Sequence, residues 1–209
     1  MMFYLLSGIT YAFAAAVQPG PFQSYLISQT LSIGWRRTLP AAFAPLLSDG
    51  PIIVLTVILL SRIPGWLINV LQCAGGIFLL SLAVHAWKTW KNFDSENINH
   101  PASSRKTLIE AMLVNFLNPA PYLGWSLVMG PLLLKGWRES TLNGIALLLG
   151  FYATMVLSQM GIVLLFARAG KLGVQVNRAL LCLSAIGLMC FGLYQLWSGI
   201  MSLSYAGFR

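Results

Sequence analysis

The chain has 209 residues, of which 57% are hydrophobic and 9% charged, with a formal net charge of +8. Soluble domains carry about 25% charged residues, so this composition excludes an ordinary soluble enzyme and points to a chain solvated by lipid. Mean hydropathy is +0.75, and the basic residues fall between apolar runs, where they read as topology and headgroup signals rather than as a nucleic-acid surface.

A spanning helix needs about 20 mostly apolar residues, and six segments qualify: 3–28, 38–60, 64–87, 108–134, 141–166 and 176–202. The expected fold is an all-α membrane protein, a single transmembrane domain over 1–209. The opening MMFYLLSGITYAFAAAV lacks the basic region of a secretory leader and is expected to stay as the first helix. Turns are predicted at Ser32-Ile33-Gly34, Arg62-Ile63-Pro64-Gly65, Lys135-Gly136 and Ala169-Gly170. A hydrophilic linker, 91–106, divides the chain into halves 1–90 and 107–209, each with three predicted helices.

Lys and Arg distribute unevenly over alternate loops. One side collects the nine residues Arg36, Arg37, Lys88, Lys91, Arg105, Lys106, Arg168, Lys171 and Arg178; the other has the four residues Arg62, Lys135, Arg138 and Arg209. The richer side is expected to be cytoplasmic, which puts the linker inside and both termini outside.

The halves share a motif. Gln18-Pro19-Gly20-Pro21-Phe22 in the first predicted helix matches Asn118-Pro119-Ala120-Pro121-Tyr122 in the fourth at an offset of 100 residues. Gly50 meets Gly150 at the same offset, and Trp87 meets Trp197 at 110. Two prolines inside a helix are costly, so a matched pair is a deliberate feature. With three helices per half the second half enters from the opposite side, an inverted repeat, which in transporters frames a site near the midplane between broken helices. Pro19 and Pro21 displace the carbonyls of Ala15 and Val17, and Pro119 and Pro121 those of Asn115 and Leu117. Such carbonyls can accept from an ammonium group, and a half-helix N-terminus beyond each break can attract a carboxylate. Kinks tolerated in membrane helices are the structural alternative.

Asp49, between Pro45 and Pro51, is the one acid deep in a predicted span. Intramembrane carboxylates usually lie on transport paths, so Asp49 is a candidate proton carrier or amine partner; the structural alternative is a carboxylate capping backbone freed by its neighbouring prolines. Gln18, Gln23, Ser24, Asn115 and Asn118 flank the breaks and are candidates for a polar path, or for interhelical hydrogen bonds. Thr107 and Glu110 fit a capping box at the start of the fourth span, at the cytoplasmic interface. His85 and Trp35, Trp66, Trp90, Trp137 and Trp197 sit near predicted ends and read as interfacial. Cys73, Cys182 and Cys190 lie in apolar stretches without metal-binding spacing, so no metal site and no cofactor are expected.

The chain resembles the lysine-exporter (LysE/RhtB-type) family of bacterial amino-acid exporters. The resemblance rests on Pro19-Gly20-Pro21, Gly34-Trp35-Arg36-Arg37, Ser48-Asp49-Gly50 and Asn115-Phe116-Leu117-Asn118-Pro119, with the size and six-helix pattern, over nearly the whole chain. It implies a secondary exporter of amino acids or related small amines in the bacterial cytoplasmic membrane, exchanging substrate for protons, with Pro19, Gly20, Pro21, Asp49, Asn118 and Pro119 on the family's motif positions. The family often has Gly where Ala44 and Ser48 stand and Lys where Ala120 stands, departures that touch the substrate rather than the fold.

The substrate and proton path is therefore expected to run through Gln18, Pro19, Gly20, Pro21, Asp49, Asn115, Asn118, Pro119 and Pro121. A membrane thiol-redox carrier is excluded, since that chemistry needs a cysteine in the first and fourth spans and 3–28 and 108–134 contain none. A divalent metal-cation exporter would want several converging ligands where the sequence offers only Asp49. A non-transporting scaffold accounts for the hydrophobicity but not for the matched motifs. Partners are a small-molecule substrate, the proton and lipid; a homo-oligomer is left open.

Overall fold

A computed structural model describes residues 1–58, 65–91 and 103–206, which are helical with no strand among them. In chain order the helices are α1 (Met2–Val17), α2 (Pro21–Ile33), α3 (Trp35–Thr38), α4 (Ala44–Ile58), α5 (Gly65–Lys91), α6 (Ser104–Phe116), α7 (Pro119–Gly124), α8 (Gly130–Glu139), α9 (Thr141–Ala169) and α10 (Val174–Ala206). A 3-10 stretch, Leu39–Phe43, joins α3 to α4 without leaving helical geometry, and a wide π-helical turn, Trp125–Met129, joins α7 to α8.

Among the described residues four continuous segments are long and apolar enough to cross a membrane: Trp35–Thr56, Asn69–Lys91, Thr141–Ala169 and Gln175–Ser202. The first and fourth predicted spans are instead each divided. α1 stops at Val17, Gln18 and Gly20 are extended, and α2 restarts at Pro21. α6 stops at Phe116, Asn118 is extended, and α7 begins at Pro119. Proline supplies no N–H and fits only the first turn of a helix, so each motif is a helix start.

Other boundaries need correcting. Lys135 and Gly136 lie inside α8, and the reversal comes at Ser140, which is extended. The turn expected at Ser32-Ile33-Gly34 is Gly34 alone, at φ 87°, a conformation only glycine adopts readily. The fourth span starts at Ser104 with Ser103 as N-cap, its hydroxyl accepting from the Arg105 N–H. Thr107 is thus already helical, and the expected capping box is not formed: Glu110 instead accepts from the Tyr25 hydroxyl at 2.8 Å and pairs with Lys106 at 3.8 Å. The predicted turn at 62–64, linker residues 92–102 and Arg209 lie outside the described residues.

Packing is set by small residues, as expected where lipid leaves no hydrophobic drive between helices. α1 lies against α9 through a reciprocal pair of glycines: a Cβ on Gly8 would sit 2.9 Å from the Phe151 nitrogen, and one on Gly150 would sit 2.5 Å from the Leu5 carbonyl. α5 and α10 do the same through Gly76, Gly192 and Gly199. A Cβ on Gly50 would meet nothing within 4 Å outside its own helix backbone, so the sequence match of Gly50 to Gly150 is not a match of role. The outside is apolar, with Leu6, Phe13, Val54, Ile77, Leu127, Leu149, Leu157 and Leu183 exposed, the surface that lipid would cover.

Candidate functional site

Both helix breaks open onto one half-open cavity of about 660 Å³, within the range of about 300–1,000 Å³ usual for small-molecule sites. Gln18, Pro19, Gly20 and Pro21 line it from the first break, and Asn118, Pro119 and Pro121 from the second. Asn115 and Asp49 line it as well, so all nine residues expected to form the path meet in one place. Tyr11, Trp125, Phe151, Met155, Phe191 and Tyr194 supply much of the apolar wall.

Asp49 is buried and held by neutral donors. Asn115 on α6 donates from Nδ2 to the Asp49 carboxylate and to the Ser48 hydroxyl, each at 2.7 Å. The side chains of Trp125 and Tyr152 also hydrogen-bond the carboxylate. The π turn helps seat Trp125, whose ring packs edge-to-face on Phe151 at 5.2 Å. Pro131 follows six residues later; its missing N–H leaves the Leu127 carbonyl without an α-helical partner, which favours the wider turn. Asp49 makes no backbone-capping contact of the kind weighed as its structural alternative; its partners are side chains.

The breaks treat their freed carbonyls differently from expectation. At the first, Gln23 reaches back and donates from Nε2 to Ala16 at 3.0 Å and Ala15 at 3.4 Å. At the second, the Asn118 N–H donates to Asn115 at 3.2 Å and the Tyr122 hydroxyl to Phe116 at 3.0 Å. The carbonyls of Ala15 and Asn115, read from the sequence as able to accept from an ammonium group, already have protein donors. Asn118 is the N-cap of α7, its Oδ1 accepting from the Ala120 N–H at 3.1 Å. Gly20, in the equivalent place before α2, has no side chain to do so.

Sequence reasoning missed three lining residues. Gln72, Gln159 and Gln195, on α5, α9 and α10, face the cavity. Each is an amide among largely apolar neighbours, the one signal the sequence offered. His85 is exposed on α5, away from the cavity lining. The three cysteines are free, and the described residues contain no cluster of three or more metal-ligating side chains.

Interrupted helices meeting at a cavity of mixed polar and apolar lining, within an apolar helical bundle, are the architecture of a membrane translocator. The chain belongs to the LysE type translocator family, whose model matches residues 13–199. No curated protein and no solved structure matches it.

Proposed function

We propose that this translocator is a secondary active exporter carrying amino acids or related small amines across the bacterial cytoplasmic membrane in exchange for protons. The observation that carries the reading is the convergence of both Pro-x-Pro segments and the buried Asp49 on one cavity. Six crossings, with α1–α2 and α6–α8 as the two interrupted ones, form a single domain of inverted halves, 1–90 and 107–209, joined by a cytoplasmic linker with both termini outside. The packing supports this symmetry. α5 and α10, the last helices of the halves, lie together; α1 lies on α9; and α6 lies on α4 and its 3-10 lead-in, the reciprocal pair.

In this reading the nine path residues line the substrate and proton route, and Asp49 takes and releases the proton. Ionised, the carboxylate is compensated by Asn115, Trp125 and Tyr152; neutral, it passes the closed states of the cycle at low electrostatic cost. The test is purified protein in liposomes with an imposed proton gradient and a panel of labelled amino acids and amines. The parent accumulates substrate against its gradient; Asp49→Asn, which cannot titrate, retains substrate exchange but loses accumulation. A parent that moves no member of the panel refutes the exporter reading. An Asp49→Asn variant that accumulates as fast as the parent at every pH refutes proton coupling through this residue.

A further inference from the structure

α2 packs on α10, α9, α6 and α5. Although so enclosed, it is rich in polar side chains: Ser28, Gln29 and Thr30 are buried and Ser24 partly buried. Polar groups inside a membrane bundle either tie helices together or line a watery path. These are not ties. The Thr30 hydroxyl donates to the Leu26 carbonyl and the Ser32 hydroxyl to the Ser28 carbonyl, each at 2.7 Å and each within α2. Among the described residues, the one side chain of α2 that hydrogen-bonds a helix of another crossing is Tyr25. Its hydroxyl donates to Glu110 Oε2 at 2.8 Å and is shared with the Thr107 carbonyl at 3.1 Å, both on α6.

α2 also closes the cavity on one side. The lining reaches Gln23 and stops. The next turn, Tyr25 and Leu26, sinks into an apolar cluster with Ala44, Leu82, Ala111, Val163 and Leu188. Beyond that cluster are the helix ends that carry Arg36, Lys88, Arg105 and Arg168, the cytoplasmic face of the exporter reading. Substrate leaving the cytoplasm has to cross it. α2 is built to move there. A glycine stands at each end, Gly20 and Gly34, with the backbone freedom that a hinge needs. Toward α10 the helix presents Ser24, whose Oγ would lie 2.9 Å from a Cβ on Gly187, and Ser28 follows one turn later on the same face. Ser184, one turn before Gly187 on α10, is buried as well, and its hydroxyl donates to the Leu181 carbonyl of its own helix at 2.9 Å. The α2–α10 seam thus holds hydroxyls that bond within their own helices and leave the two helices free to part.

We propose that α2 is the gate on this face: pivoting at Gly20 and Gly34, it parts from α10 when the Tyr25–Glu110 bond breaks, and its Ser24–Ser28 edge then lines the watery way into the cavity. This rests on the exporter reading above and adds the moving part and its latch.

The experiment uses the full chain with Cys73, Cys182 and Cys190 replaced by Ala, so that every thiol is an introduced one. In Ser24→Cys/Gly187→Cys the two Cβ atoms would stand 3.6 Å apart, within the span of about 3.5–4.5 Å that a disulfide bridges. Reduced, this protein moves substrate in liposomes like its parent; oxidised, with the cross-link confirmed by mass, its rate falls at least about tenfold and reductant restores it, as for a gate whose motion transport requires. In a second arm a membrane-impermeant thiol reagent is applied to the cytoplasmic face. Tyr25→Phe speeds its reaction with Ser28→Cys about tenfold by easing local opening, while Leu147→Cys, buried on α9 in the other core cluster, stays unreacted. Glu110→Gln, which weakens the same bond, takes the place of Tyr25→Phe if reaction at Leu147→Cys shows the whole fold loosened. The labelling arm decides if the cysteine pair does not fold. A fully cross-linked protein that transports as fast as its reduced form overturns the proposal, and so does Ser28→Cys labelling that is indifferent to loss of the latch. A parent that moves no amino acid or amine defeats the exporter reading instead, and the labelling arm then still decides whether α2 opens.

Discussion

The bond between Asn115 and Asp49 offers a direct measurement of the charge on the buried carboxylate. Its 2.7 Å length joins α6 to α4 across the two halves of the chain. A hydrogen bond to a charged group contributes about 1.5–3 kcal/mol, whereas neutral interhelical bonds in membrane proteins average about 0.6 kcal/mol. The perturbation is the pair Asn115→Ala and Asp49→Ala, singly and together. Each single change leaves other groups unpaired: Ser48 loses its Asn115 donor, and Trp125 and Tyr152 lose their acceptor. The double-mutant cycle removes those costs and isolates the pair. The assay is equilibrium unfolding of the purified protein in mixed micelles. At alkaline pH, with Asp49 ionised, the expected coupling is about 1.5–3 kcal/mol; once the medium is acid enough to protonate the carboxylate, it falls toward about 0.6 kcal/mol. A coupling near zero at alkaline pH, or one of equal size throughout, would show that the pair carries no titrating charge and refute the reasoning.

Three further outcomes are expected. Gln23→Leu strips the Ala15 and Ala16 carbonyls of their side-chain donor and lowers stability by about 1–3 kcal/mol, read from the same unfolding assay; an unchanged midpoint means that water or lipid headgroups satisfy the first break. Gly150→Ala drives a methyl to within 2.5 Å of the Leu5 carbonyl and costs about 1–3 kcal/mol through forced separation of α1 and α9, whereas Gly161→Ala on the same helix meets nothing within 4 Å and leaves the melting temperature unchanged or raised; equal effects at the two positions contradict the packing. Reporter fusions after Arg209 and within 92–102 should read outside and inside respectively, and a cytoplasmic C-terminus overturns the orientation drawn from the basic residues.

The parts of the site legible in the sequence were those with a local signature. Pro19-Gly20-Pro21 and Asn118-Pro119-Ala120-Pro121 announce a helix start wherever they stand, because proline cannot donate a backbone hydrogen bond. Asp49 stands out because an acid in an apolar run is costly without a purpose. The glutamines were not legible. An amide among apolar residues has the same local sequence whether it faces a neighbouring helix or a cavity, and only the packing of α5, α9 and α10 sets Gln72, Gln159 and Gln195 along one cavity. The fate of the freed carbonyls was equally hidden, since the Gln23 side chain turns back across the break by a path no periodicity encodes. The capping-box expectation at Thr107 failed for a related reason: Ser103 supplies a simple N-cap one turn earlier, and Glu110 is drawn instead to Tyr25.

The partnerships α1 with α9 and α5 with α10 also bear on how the chain is made. Met2–Val17 leaves the ribosome well before the surface that receives it, Thr141–Ala169, has been made. Gly8, Gly75 and Gly76, whose bare backbones fit later helices, must therefore wait in the bilayer with those faces uncovered. Contacts between residues distant in sequence slow folding, and incomplete chains with unmatched surfaces are the ones prone to misassembly. Assembly of this translocator is thus a late event, completed only when α9 and α10 close over helices inserted long before.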